Sequence, residues 1–179
     1  MKATGIVRRI DDLGRVVIPK EIRRTMRIRE GDPLEIYTEK DGEVIFKKYS
    51  PMGELADFSG QICETLNKIT GCSVLVTDRD SIISVNGVPK RELLEKSISH
   101  ELEQIMEGRR VYQRKSGERG LPVSEAADRY NIAIAAPILA EGDVMGSVVF
   151  FAEGDKVFSE VEYKLAQTVA GFLGKQMEG

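Results

Sequence analysis

Cysteine and histidine are nearly absent from this chain of 179 residues, which holds two of the first and one of the second. Cys63 and Cys72 form no CxxC pair, and His100 has no partner at metal-ligand spacing, so neither a disulfide framework nor a metal site is expected. Long apolar runs are missing too. The longest weakly apolar stretch, Ile132 to Ala140, is far too short to cross a bilayer. The opening residues MKATGIVRRIDD set charges where a secretory leader needs apolar side chains. A cytoplasmic protein with no membrane contact and no cofactor is the expectation. Between Lys2 and Arg29 a further shortage appears: there is no Asn, Gln or aromatic residue, and the only acids are Asp11, Asp12 and Glu21.

That same stretch holds nine Lys and Arg, a net of +6 in a chain whose total is -3, so the remaining 150 residues carry -9. Such asymmetry marks one end for a polyanion. The segment TGIVRRI is rich in β-formers, the Asp and Gly of DDLG suit a reversal, and RVVI is again β-branched, which together predict a hairpin. Pro19 then opens a short helix, PKEIRRTMRI, closed by the REGDP loop. At about 100° per residue, Lys20, Arg23, Arg24 and Arg27 fall within an arc of about 100°, with Ile22 and Met26 on the opposite side. Two further strands, LEIYTEK and EVIFKKY, flank Asp41 and Gly42, a pair favoured in two-residue hairpin turns. A segment of this size cannot bury much apolar surface alone, so self-association is expected.

The run TGIVRRIDDLGRVVIPKEIRRTMRI, followed by GDPLEIY and GEVIFKKY, resembles the AbrB-type swapped-hairpin DNA-binding domain of bacterial transition-state regulators over residues 1–50. The resemblance implies an intertwined homodimer, a swapped-hairpin β-barrel, that binds double-stranded DNA. It implies that Arg8, Arg15, Arg23 and Arg24 face the DNA, and Arg9 and Lys20 stand beside them. Arginines neutralise phosphates and can reach guanine edges, whereas adenine-reading and stacking side chains are missing here, so a loose sequence preference with a share from DNA shape is expected.

Tyr49 to Gly53, YSPMG, combines Ser, Pro and Gly and predicts a boundary, with residues 51–53 as linker and 54–179 as a second domain. There, Leu55, Phe58, Ile62, Leu66 and Ile69 recur at helical spacing and Gly71 ends the helix. CSVLVTD and SIISVNG read as strands, and Ser99 to Gly108 as a capped helix. IAIAAPILAEGDVMGSVVFFAEG reads as two apolar strands joined at Glu141 to Asp143. A last helix starts at a capping box, Ser159 and Glu162, and carries Val161, Leu165, Val169, Phe172 and Leu173. Its Ala166, Ala170 and Gly174 make a small-residue stripe that suits either another helix or a sheet.

This order, with the stretches VLVTDRDSIISVNG and APILAEGDVMGSVVFF, resembles the GAF domain, a sensory fold. The fold class is thus α+β, an AbrB-like head and a GAF-like antiparallel sheet with flanking helices. An AbrB-type head joined to a GAF-like tail resembles regulators of spore development that activate some genes and repress others, nucleoid-associated in the cytoplasm. GAF resemblance implies dimerisation through the first and last tail helices, which with dimeric heads makes a homotetramer. It also implies an unknown small-molecule ligand, for which Arg109 to Tyr130 is either a lid or a solvated loop over a packed core. An antitoxin-like protein-binding module and a GAF-type reductase using cysteines are the alternatives; no catalytic residue is expected.

Overall fold

The computed structural model describes residues 3–178, so Lys2 lies outside them. The chain divides into two compact units, Met1–Tyr49 and Ser50–Gly179.

In the first unit an arm without regular structure runs to a turn at Asp11–Gly14, and a second such stretch leads to α1, Lys20–Thr25, with Pro19 as its N-cap residue. Strands β1, Leu34–Thr38, and β2, Val44–Lys48, pair antiparallel from Leu34 opposite Lys48 to Thr38 opposite Val44. Their turn is not the expected two-residue one. Glu39 N–H donates to Glu43 O (3.0 Å) and Gly42 N–H to Glu39 O (3.2 Å), and of the loop residues only Gly42 is left-handed, φ 82°. The mirror-image turn needs positive φ at both central residues, so Asp41 makes the loop a residue longer.

The two predicted strands before α1 form no ladder with each other, though Asp11 N–H donates to Arg15 O (3.0 Å) across their turn. A strand needs a second edge to take its amide and carbonyl groups, and this unit supplies none for them. Burial agrees with this. Among residues 3–49 only Pro19 is buried, while Val7 is 87% and Ile10 72% exposed.

The second unit opens with α2, Pro51–Glu54, then α3, Ala56–Thr70. The residues expected as linker, 51–53, are therefore a helical turn. Ser50 Oγ accepts the Gly53 N–H, and Met52 is fully buried in the core. Next come β3, Ser73–Thr77, β4, Ile82–Asn86, α4, Lys90–Leu93, α5, His100–Glu107, β5, Tyr112–Gln113, β6, Tyr130–Ala140, β7, Asp143–Glu153, and α6, Glu160–Met177. The sheet is antiparallel in the order β4-β3-β7-β6-β5. Strand alternation sends Val74, Val76, Val148 and Phe150 to one face and Leu75, Val149 and Phe151 to the other. A bulge between Ile132 and Ile134 shifts that alternation in β6, so Ala133 and Ile134 share a face.

Helices α3 and α6 cover the first face, and α4 and α5 with the Arg109–Tyr130 segment cover the second. The faces these helices bury differ from those their periodicity suggests. In α6 the small-residue stripe is inside, because Ala166, Ala170 and Gly174 are buried while Val161 and Phe172 are exposed. Gly174 shows why: a Cβ there would stand 2.1 Å from the Leu139 carbonyl oxygen. In α3 the buried residues are Ser59, Cys63 and Leu66, and Phe58 and Ile69 point out. Phe58 and Phe172 meet at 6.0 Å between ring centroids, and Phe58 borders an open, largely apolar groove with Ile62, Leu66 and Val169. No helix among the described residues is long and apolar enough to cross a membrane.

Candidate nucleic-acid interface

The turn between the two arms is built around one carboxylate. Asp11 Oδ1 accepts the N–H groups of Leu13 (3.0 Å) and Arg15 (2.7 Å), and Asp11 Oδ2 accepts Arg15 Nε at 2.8 Å. The Arg15 backbone amide, then its guanidinium, hold the Asp11 carboxyl below its ordinary value. The contribution of a depressed carboxyl is present above the unfolded value and disappears as pH falls through the folded one. The turn is therefore charged and closed at neutral pH. Being a surface pair, it adds little stability and serves mainly to fix the turn.

Arg8 and Arg9 stand on the arm before this turn, Arg15 directly after it, and Lys20, Arg23 and Arg24 on α1. All six are exposed. Among the described residues only Arg15 of the six has an acidic partner. Lys20, Arg23 and Arg24 keep the i, i+3, i+4 spacing that puts them on one side of a helix. Unpaired like charges so close repel one another, and an external polyanion relieves the repulsion.

Arg27 departs from the helical arc. Helix α1 ends at Thr25, and Arg27 has φ 53°, the left-handed conformation usual for glycine after a helix. Ile28 N–H donates to Arg23 O (2.8 Å) and Arg27 N–H to Arg24 O (3.3 Å), the two bonds of a Schellman ending. A side chain in this region costs roughly 1–2 kcal/mol relative to the right-handed one. Lys48 Nζ donates to the Arg27 carbonyl at 2.9 Å, which ties this ending to β2. Only part of this is visible in the sequence: no glycine follows the helix before Gly31.

In the second unit the Arg109–Tyr130 segment alternates exposed stretches, such as residues 115–119, with buried anchors. Val123 and Tyr130 are in the core, and the Tyr130 and Phe151 rings meet edge-on at 5.5 Å. Arg114 is 5% exposed and committed internally. It donates to the carbonyls of Glu118 (2.9 Å) and Gly154 (2.8 Å) and pairs with Asp155 at 2.7 Å. Nothing in the sequence separates Arg114 from its exposed neighbours Arg109, Arg110 and Arg119, since two of its partners, Gly154 and Asp155, lie 40 and 41 residues on, just past β7.

The cysteines stand in separate settings. Cys63 Sγ lies 3.4 Å from Ser84 Oγ, and Cys72 Sγ donates to the Thr70 carbonyl at 3.5 Å. Burial pushes the Cys63 thiol up to about 11, which keeps it protonated.

Comparison with known proteins agrees with this two-part layout. Residues 7–53 match the family described as "Antidote-toxin recognition MazE, bacterial antitoxin". The transition state regulatory protein AbrB of Bacillus subtilis is 46% identical over 77 residues, covering 43% of this chain and 78% of that protein. The GAF domain of an Acinetobacter phosphoenolpyruvate-protein phosphotransferase superposes with a TM-score of 0.55 at 13% identity, over 73% of this chain and 84% of that one. The fold is accordingly α+β, with a GAF-like second unit. Stage V sporulation protein T of Bacillus subtilis is 53% identical over 178 residues, 99% of each chain. Residues 54–178 match the family described as "Stage V sporulation protein T C-terminal, transcription factor", and the chain belongs to the stage V sporulation protein T family.

Proposed function

We infer that this protein is a DNA-binding transcription regulator of sporulation, with residues 1–50 as the DNA-binding head and 54–179 as a sensory and oligomerisation tail. One observation carries the reading: Arg8, Arg9, Arg15, Lys20, Arg23 and Arg24 are all exposed on one small unit, and only Arg15 has an acidic partner among the described residues. These cations neutralise phosphates, and the arginines additionally reach guanine edges. Contacts to phosphate carry no sequence information, so one protein can serve many related sites, activating some genes and repressing others. The working place is the nucleoid, in the cytoplasm.

The heads act as homodimers. Support comes from a unit whose apolar side chains are uncovered and whose first two segments lack a ladder partner. The tails pair through the outward apolar side of α3 and α6, around Phe58 and Phe172, which makes a homotetramer with two heads. Two tethered heads raise affinity through effective concentration. A small-molecule ligand of the tail would enter between the sheet and α5 only by displacing fully packed side chains such as Met106 or Tyr130, so its binding would be linked to movement of the Arg109–Tyr130 segment.

The antitoxin match over residues 7–53 favours a second reading, a protein-binding head. The DNA reading is preferred because the rest of the chain is a folded domain of the transcription-factor family. An enzyme is not proposed, since the Cys63 thiol is protonated and buried. The test is a gel-shift salt series with the intact protein and an Arg23→Ala, Arg24→Ala variant. The log-log slope becomes shallower by about 0.9 for each phosphate no longer neutralised. Equal binding and equal slope for both proteins would remove these arginines from the interface.

A further inference from the structure

Among the described residues four other than glycine adopt positive φ: Arg27, Glu95, Arg109 and Glu141. For Glu95 and Glu141 the local structure accounts for the conformation. Glu95 N–H is taken by the Ile82 carbonyl, and Glu141 sits at a two-residue hairpin turn with its N–H on the Glu178 carboxylate. The Arg27 N–H is likewise taken, by the Arg24 carbonyl, but Arg27 alone of the four belongs to the basic first unit. Its guanidinium is exposed and has neither an ion pair nor a hydrogen bond among the described residues. Glycine would complete the same Schellman ending with less strain. A strained residue held by its surroundings, with a side chain that gains nothing inside the fold, points to a contact outside it.

We propose that Arg27 is a further DNA-phosphate contact, presented from the end of α1 by a backbone that the fold locks in the left-handed conformation. This rests on the head being the DNA-binding part. The lock has two pieces. Ile28 N–H and Arg27 N–H close the helix end on Arg23 and Arg24, the two arginines nearest in sequence on α1. From the other side Lys48 Nζ holds the Arg27 carbonyl and stands 3.8 Å from Asp32, whose carboxylate accepts the Arg29 N–H at 2.8 Å. The cation therefore starts from a fixed backbone just beyond the basic side of α1, and little further ordering of that backbone is needed when DNA arrives. A phosphate needs only charge and reach, which suits a residue at the border of the basic side.

Arg109 provides the comparison. It has the same backbone conformation, φ 55°, and is equally exposed, but it follows α5 in the acidic second unit. Four intact proteins separate the roles: wild type, Arg27→Gly, Arg109→Gly, and the Arg23→Ala, Arg24→Ala variant. Thermal melting without DNA should rise for both glycine variants, by about 2–4 °C for each relaxed residue. Binding to several duplexes across a salt series should weaken for Arg27→Gly alone of the two, equally on every duplex, with a slope shallower by about 0.9 for the one phosphate released. Unchanged affinity and slope for Arg27→Gly, with the Arg23, Arg24 variant weakened, would overturn the Arg27 contact and leave the head reading intact. If the Arg23, Arg24 variant also binds normally, the head reading itself falls. Weakening confined to one duplex would assign Arg27 to a base edge and overturn the phosphate contact.

Discussion

Arg114 shows how a single charged side chain closes a domain. Its guanidinium is 5% exposed while the Asp155 carboxylate is 96% exposed, so the ion pair reaches from the interior to the surface and solvent reaches one side of it. The stronger constraint is the pair of carbonyls, Glu118 and Gly154, that the same guanidinium satisfies. Replacing it with an apolar residue of similar length removes both bonds, leaving the Gly154 carbonyl to Asn131 Nδ2 at 3.4 Å and that of Glu118, an exposed residue, to water. Arg114→Met should lower stability by about 2 kcal/mol, since a hydrogen bond to a charged group is worth about 1.5–3 kcal/mol. Thermal denaturation of the intact protein checks this, and a loss below about 0.5 kcal/mol, the range of ordinary surface changes, would show that water replaces the guanidinium. Charge at Asp155 matters less: its carboxylate is solvated with or without its partner.

At the scale of elements, α6 combines a capping box, in which Ser159 Oγ accepts the Val161 N–H (3.2 Å) and Glu162 accepts the Ser159 N–H (2.8 Å), with a close seat on β6. Gly174→Ala improves helix propensity by about 1 kcal/mol but drives a methyl into the Leu139 carbonyl. The second effect wins, because backbone oxygen cannot swing aside, and the melting temperature should fall. A rise would mean that α6 slides along the sheet. Elements are also where the sequence is most and least legible. Ser159 and Glu162, Ser99 and Gly71 mark helix ends correctly, because caps are local chemistry. The inward sides of α3 and α6 escape a reading by periodicity, because apolar size is a poor guide to burial: Phe172 is large and outside, Gly174 small and inside. Only the distance to Leu139 decides that, and no window of sequence contains it. The basic residues of the head are legible as composition and spacing, whereas the left-handed Arg27 is hidden, since a helix arc gives no warning of where the helix stops.

At the scale of the whole molecule, the two units solve the burial problem in opposite ways. The tail fills both faces of its sheet with fully buried side chains, Phe150 on one and Phe151 on the other. The head buries only Pro19 among its described residues, and the homodimer proposed for it would supply the burial it lacks. Light scattering of the intact protein should give a tetramer, and a Phe58→Glu, Phe172→Glu variant, altered only at outward residues of the tail, should give a dimer held by its heads. A monomer from that variant would place the head contacts below the strength proposed, and an unchanged tetramer would move the tail interface elsewhere. In the proposed dimer, head stability would depend on protomer concentration. The bare arms between Thr4 and Pro19 would then act as a dosage gauge: a cell making few copies would hold mostly protease-sensitive, inactive heads, and regulation would switch on more steeply than synthesis rises.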